Sequence, residues 1–164
     1  MTVQKKTSGS VQRVRDALAA AGLQNEVQEL AASTRSAQDA ARAVGCDVAQ
    51  IVKSLVLKGA VSGKLFLVLT SGSNRVCVSR VATLAGEEVG MADAASVRDW
   101  TGFAIGGVPP LGHLKPLPTF IDRDLTPHAI VWAAAGSPNA LFHLTPEELV
   151  GITNGTVTVV AEGE

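Results

Sequence analysis

Two apolar runs joined by a short turn constrain the fold of this chain most strongly. Residues 51–57 form the first run, residues 65–69 form the second, and the turn between them runs from Gly59 to Gly63. A run that is apolar at every position, as residues 65–69 are, is typical of a central strand covered on both faces. We therefore predict that the two runs pair as a hairpin within a sheet.

Periodicity elsewhere predicts helices mixed with short strands. Apolar residues recur at helical spacing in further segments, one of which begins at Ser33 or Thr34. Asp93 suits a helix N-cap, and Thr145 begins a capping box with Glu148. Since hairpins dominate the connections, we expect an α+β domain with a mainly antiparallel, mixed or barrel-like sheet and several flanking helices. The further strands are predicted at residues 26–30, 119–122, 129–133, 141–144 and 156–160.

Length and composition indicate one globular domain. The 164 residues are 46% hydrophobic and 18% charged, and a chain of this length buries a core without disulfides or metal. Residues 1–10 are polar and are predicted to be a flexible N-terminus, which leaves residues 11–164 as the domain. With no secretion signal, no span long enough for a bilayer and two isolated cysteines, we expect a reduced cytoplasmic setting and no membrane partner.

The charge balance narrows the class of nucleic-acid partner. A net charge of −1 and a pI near 6.3 argue against a protein that grips long duplexes by their phosphates. Contact with only the end of a nucleic acid does not need a strongly basic surface.

Lys53 is the unusual residue of the first apolar run. Side chains alternate between the two faces of a strand, so Lys53 shares a face with Ile51, Leu55 and Leu57. An ammonium group on an apolar face needs a partner or a task. The alternative is that the side chain extends along the strand and places its head in water.

A loop rich in glycine and proline, residues 106–113, is the second unusual segment. It combines residues that are free in φ with residues that are fixed in φ, which is typical of a shaped backbone loop. The alternative is an ordinary turn. Together with Lys53, the loop suggests a small polar site for a carbonyl or a phosphate.

The common catalytic motifs do not occur in the sequence. It has no nucleophile elbow, Walker loop or histidine pair with metal-ligand spacing, and its three histidines are scattered. We therefore expect no metal and no organic cofactor. Backbone N–H groups of a glycine loop can stabilise an oxyanion, and an ammonium can hold a carbonyl or phosphate. Such a site suits a substrate that carries its own hydroxyl beside a labile ester, as the terminal ribose of an aminoacyl-tRNA does.

In these segments the chain resembles the YbaK/EbsC family, the free-standing aminoacyl-tRNA editing domains related to the insertion domain of bacterial prolyl-tRNA synthetase. The resemblance covers residues 11–160. It rests on residues 51–55, which look like the lysine strand of the family, and on Gly106 to Pro110, which fit its G-x-x-x-P loop. Residues 135–137 and the helix start at 145–149 add to it.

The resemblance implies hydrolysis in trans of a mischarged aminoacyl-tRNA, with a small amino acid on tRNA(Pro) or a related tRNA. Alanine, cysteine, serine and threonine stay open, although Ala134 and residues 137–139 depart from the cysteine-specific pattern. A binding module for tRNA ends or nucleotides, without chemistry, is the alternative. The implied partners are the aminoacyl-tRNA acceptor end and a tRNA synthetase or elongation factor, for a monomer or weak homodimer. The implied catalytic residues are Lys53, Gly106 and Gly107, and the implied substrate-binding residues are Ser54, Val108, Pro109, Pro110, His113, Gly136 and Ser137.

Overall fold

The computed structural model describes residues 9–31, 34 and 36–163. The predicted flexible segment 1–10 falls partly outside this range, and Gly9 and Ser10 begin the first helix. None of the helices in the described residues has both the length and the apolar character needed to cross a bilayer. In chain order the elements are α1 Gly9–Ala20, β1 Val27–Glu29, α2 Ala37–Val44, β2 Val52–Gly59, β3 Leu65–Ser71, α3 Val78–Ala85, β4 Val89–Met91, α4 Ala94–Thr101, β5 Thr119–Asp122, β6 Val131–Ala134, β7 Ala140–Leu144, α5 Pro146–Thr153 and β8 Thr156–Thr158.

The strands form two sheets that confirm the α+β prediction. One sheet has the order β4-β2-β3-β5-β8 and the other the order β1-β7-β6. The predicted hairpin of β2 and β3 is antiparallel, with Lys53 opposite Thr70. Strands β3, β5 and β8 pair in parallel, so the first sheet is mixed. A bridge between Ile51 and Trp132 joins the two sheets at the start of β2.

The core is built on β3, all of whose residues are buried. On one face, Val52 and Val56 of β2 pack with Leu67 and Leu69 in the main cluster, which α1, α4 and α5 cover. On the other face, a second cluster contains Leu57, Val68 and Val81. The sheet is therefore covered on both sides, as its continuous apolar strand predicts.

Local capping signals explain most of the helix ends. Asp93 accepts the N–H of Ser96, and Thr145 and Glu148 form the predicted capping box. The predicted start of α2 at Ser33 or Thr34 is not observed. Ser33 lies outside the described residues, and the Oγ of Ser36 accepts the N–H of Asp39 at 3.1 Å, so Ser36 is the N-cap.

Candidate active site

Lys53 is half-buried near the start of β2. Its Nζ donates to the backbone carbonyl of Asn74 at 2.5 Å. Leu55 and Leu57 lie on the same face of the strand and pack with the second cluster, whereas Ile51 belongs to a separate cluster beside α2. The lysine therefore lies on an apolar face and is fixed at its head by a carbonyl.

Burial lowers the pKa of Lys53, and the positive charge of Arg75 lowers it further, while Asp122 acts in the opposite direction. An ammonium has three N–H donors. Within the described residues Asn74 takes one of them, which leaves two for a ligand.

The glycine loop begins with a tight turn over residues 104–107. The N–H of Gly107 donates to the carbonyl of Ala104 at 3.0 Å. Gly106 is the third residue of the turn, with φ at 95°, a conformation that type II turns require and that glycine adopts without strain.

Gly107 packs against the 136–139 turn. A Cβ on Gly107 would lie 2.8 Å from the backbone of Ser137, and the carbonyl of Gly107 accepts the N–H of Gly136 at 3.0 Å. Since the N–H of Gly107 is already bonded to Ala104, it is not available to a ligand. The interpretation that both glycines present N–H groups to an ester therefore needs correction, and Gly107 serves close packing.

The two prolines of the loop, Pro109 and Pro110, are buried, and His113 is half-buried. The Nε2 of His113 bonds to the carbonyl of Pro109 at 2.7 Å, and the imidazole meets the ring of Phe103 edge-on. Burial lowers the pKa of His113, against an opposing effect of the Pro109 carbonyl. His113 therefore stabilises the loop through its bond to the carbonyl of Pro109.

The 136–139 turn joins the loop to the segment before α2. The Oγ of Ser137 donates to the side chain of Asn139 at 2.6 Å. The N–H and Oγ1 of Thr34 both donate to the carbonyl of Pro138, at 2.9 and 2.8 Å. A Cβ on Gly136 would lie 2.6 Å from the carbonyl oxygen of Ser10, so this glycine permits α1 to approach closely.

A cavity of about 320 Å³ lies where these segments meet. It occupies a gap along the outer edge of β2, between the Ile51 bridge and the hydrogen bond of Ala92 to Val56, where no described strand pairs with β2. Its lining residues are Thr34, Ser36, Ala37, Ala40, Ile51, Val52, Lys53, Ser54, Leu55, Ile105, Gly106, Val108, Ala134, Ser137, Pro138 and Leu141.

Three polar groups at the cavity have no partner within the described residues. The Oγ of Ser54 is buried without a hydrogen bond. The N–H groups of Gly106 and Val108 have no acceptor there either, and Val108 is buried. A buried polar group without a partner is costly, which applies to Ser54 and Val108, whereas Gly106 is exposed to solvent.

The structure brings together half of the residues predicted for the site. Lys53, Ser54, Gly106, Val108 and Ser137 line the cavity. The others, which support the loops without lining the cavity, are Gly107, Pro109, Pro110, His113 and Gly136.

The wall formed by α2 was missing from the predicted site. Ala37 and Ala40 of this helix line the cavity, with Leu141 of β7 beside them. The only signal in the sequence is the apolar stripe of α2, which by itself indicates core packing.

Comparisons with known proteins point to one family. The profile of the family described as "Aminoacyl-tRNA editing domain" matches residues 31–152. A solved structure described as a candidate trans-editing enzyme for prolyl tRNA synthetase is 48% identical, with a TM-score of 0.91 over 96% of this chain and 100% of that one. The structure of the hypothetical protein APE2540 is 31% identical, with a TM-score of 0.84 over 92% of this chain and 99% of that one.

A curated relative adds a substrate name. The EbsC protein of Enterococcus faecalis, provisionally named a Cys-tRNA(Pro)/Cys-tRNA(Cys) deacylase, is 26% identical over 79% of each chain. The protein YwhH of Bacillus subtilis, whose function is uncharacterised, is 29% identical over 77% of this chain and 80% of that one.

Proposed function

The chain belongs to the aminoacyl-tRNA editing domain family, and from this premise we propose that it clears a small amino acid from mischarged tRNA(Pro), or a related tRNA, in trans. Its enzyme class is that of a deacylase, a hydrolase that acts on a carboxylic ester.

One observation carries the assignment of the site. A single cavity unites the ammonium of Lys53, the unpartnered Oγ of Ser54 and the open N–H groups of Gly106 and Val108. Donors carried by residues that line one small space suit a carbonyl that becomes an oxyanion. None of the described residues that line the cavity carries a carboxylate or an imidazole, and we therefore assign activation of the nucleophile to the substrate.

The reaction follows from these groups. The ester carbonyl binds against the N–H groups of Gly106 and Val108, while Lys53 holds the carbonyl or the terminal phosphate. A water oxygen, oriented by the adjacent ribose hydroxyl, attacks the carbonyl carbon. The bond between that carbon and the ribose oxygen then breaks, and the proton of the water ends on the ribose oxygen. The products are a free amino acid and a tRNA with an intact 3′ end.

The volume of the cavity, about 320 Å³, is enough for an aminoacyl group together with part of the terminal ribose. Ala37 and Ala40 make the α2 wall apolar, and Ser54 contributes a lining residue whose buried Oγ has no partner among the described residues. Alanine, serine, threonine and cysteine all fit this description, and the name of EbsC favours including cysteine in any test.

The test is a panel of tRNA(Pro) charged with alanine, serine, threonine, cysteine or proline. Wild-type protein should release at least one small amino acid well above the uncatalysed rate and leave prolyl-tRNA(Pro) intact. The matched control is Lys53→Met, which keeps an unbranched apolar side chain one atom shorter and removes the charge. Tight binding of tRNA without release from any member of the panel would instead indicate a binding module.

A further inference from the structure

Asp122 is a buried carboxylate that the proposed chemistry does not use. It ends β5 and is 1% exposed. Its oxygens accept the backbone N–H of Ser71 at 3.0 Å, the Nδ2 of Asn74 at 2.8 Å and the backbone N–H of Asp124 at 2.9 Å. A buried carboxylate that accepts three hydrogen bonds has a fixed position, so it also restricts the position of the groups that donate to it.

Asn74 links this carboxylate to the lysine of the cavity. Its Nδ2 donates to Asp122 and also to Asp124, each at 2.8 Å, while its backbone carbonyl accepts the Nζ of Lys53. Asn74 is thus held through its side chain and holds Lys53 through its backbone. The continuous path runs from Asp122 through Asn74 to Lys53.

Charged groups near Lys53 act on its pKa in opposite directions. Arg75 follows Asn74 directly and, like burial, lowers the pKa of Lys53, whereas Asp122 raises it. Asp124 and Arg123 lie on the 3-10 turn after Asp122. Of these charged groups, Asp122 is the buried anion.

We propose that Asp122 and Asn74 are positioning residues that hold the ammonium of Lys53 at the edge of the cavity. This inference rests on the proposed function, in which Lys53 holds the substrate. Neither residue lines the cavity. Asp122 therefore acts through Asn74 on the direction of the Nζ–H bonds, and through space on the charge of Lys53.

The test compares Asp122→Asn with Asp124→Asn. The matched control removes the same charge from the neighbouring, exposed carboxylate that binds the same Nδ2. For Asp122→Asn we expect at least a tenfold loss of kcat with KM changed by less than threefold. We also expect the alkaline fall of the rate, corrected for uncatalysed hydrolysis, to move to lower pH. Asp124→Asn should stay within threefold of wild type and keep its pH profile.

A second measurement does not depend on turnover. The pKa of Lys53 can be read from its 13Cε signal in lysine-labelled protein, assigned with Lys53→Met. It should fall in Asp122→Asn and stay unchanged in Asp124→Asn. If Asp122→Asn fails to fold, Asn74→Ala provides the same comparison, with a loss of kcat and a shifted Lys53 signal expected.

The outcomes separate the two proposals. A wild-type protein that releases no amino acid overturns the proposed function, while the NMR comparison still decides whether Asp122 controls Lys53. An active wild type whose Asp122→Asn variant loses only thermal stability, with kcat, pH profile and Lys53 signal unchanged, overturns the positioning role. Equal effects of Asp122→Asn and Asp124→Asn overturn it as well, because burial would then make no difference.

Discussion

Replacement of Lys53 by methionine tests the centre of the proposed site. Methionine keeps an unbranched apolar stem that is one atom shorter, so most of the volume of the side chain is preserved. What disappears is the charge, its bond to the carbonyl of Asn74 and the two remaining N–H donors. The variant thus separates the chemistry of Lys53 from its volume.

The expected effect on catalysis is large and the effect on stability is small. Loss of one donor from an oxyanion site typically slows turnover by about 100-fold or more, and a 100-fold loss corresponds to about 2.7 kcal/mol of transition-state stabilisation. Two effects on stability oppose each other. Loss of the hydrogen bond to Asn74 destabilises the fold, whereas removal of a charge from a partly buried position stabilises it. We therefore expect a net change of less than about 2 kcal/mol in the free energy of unfolding.

The lowered pKa of Lys53 gives a second signature. Activity that needs the ammonium should fall as pH rises through this lowered pKa, earlier than for an ordinary lysine. Between the folded and unfolded pKa values the unfolded chain holds the extra proton, so the stability of the wild type should rise with pH in that interval. The methionine variant should lack this rise.

The assay is single-turnover release of the amino acid from the best tRNA of the panel, with thermal and urea unfolding measured in parallel. Lys53→Arg serves as a charge-preserving comparison, which should recover part of the binding and little of the rate because the guanidinium is planar and wider. A methionine variant with turnover within threefold of wild type would refute the role of Lys53. A variant that unfolds would instead assign Lys53 to structure.

Four further predictions concern the loop and the tRNA. Gly107→Ala should abolish turnover and lower the melting temperature, since its Cβ would meet the backbone of Ser137 at 2.8 Å; unchanged kinetics would refute the close packing of the two loops. A Cβ added at Gly106 has room, but φ at 95° is strained for alanine by about 1–2 kcal/mol. We therefore expect Gly106→Ala to slow turnover. His113→Ala should keep turnover within about threefold and destabilise the fold by roughly 1–3 kcal/mol, since it leaves the carbonyl of Pro109 unpaired; an inactive but folded variant would indicate a general base. The affinity for tRNA should depend on salt with a slope shallower than about −5, the value for six phosphate contacts, and a steeper slope would reveal a basic surface.

Local signals in the sequence predict the parts of the fold that are decided locally. The hairpin of β2 and β3 follows from two apolar runs and a short turn, and the capping box of Thr145 and Glu148 follows from spacing alone. The predicted start of α2 at Ser33 or Thr34 was wrong because several hydroxyl residues precede that helix. Thr34 bonds to Pro138 instead, a partner more than 100 residues away, so tertiary contact decided between the candidates.

The composition of the site was predictable only in part. Lys53 stands out because a charged residue in an apolar strand is unusual. Gly106 stands out because it begins a short segment that combines glycines with two prolines. The assignment of an N–H donor to Gly107 was wrong because the turn closure with Ala104 is invisible in the sequence. Ala40 carries no chemical signal, and only the packing of α2 against the edge of β2 turns it into a cavity wall.

This wall leads to a prediction about substrate selection. Ala40 and Ala41 are adjacent in α2, 4% and 5% exposed, and both pack with Trp132 and Leu141. Of these two alanines, Ala40 lines the cavity and Ala41 does not. Valine at either position overpacks the same cluster and costs a similar 1–3 kcal/mol of stability, roughly. Ala40→Val, however, also narrows the space for the aminoacyl group. A difference of one methylene in such a pocket changes selectivity by roughly 10- to 200-fold. We therefore expect Ala40→Val to reduce kcat/KM for threonyl-tRNA(Pro) relative to alanyl-tRNA(Pro) at least tenfold, while Ala41→Val leaves the ratio unchanged. If both variants shift the ratio equally, general loosening of α2 explains the effect and the amino acid binds elsewhere in the cavity.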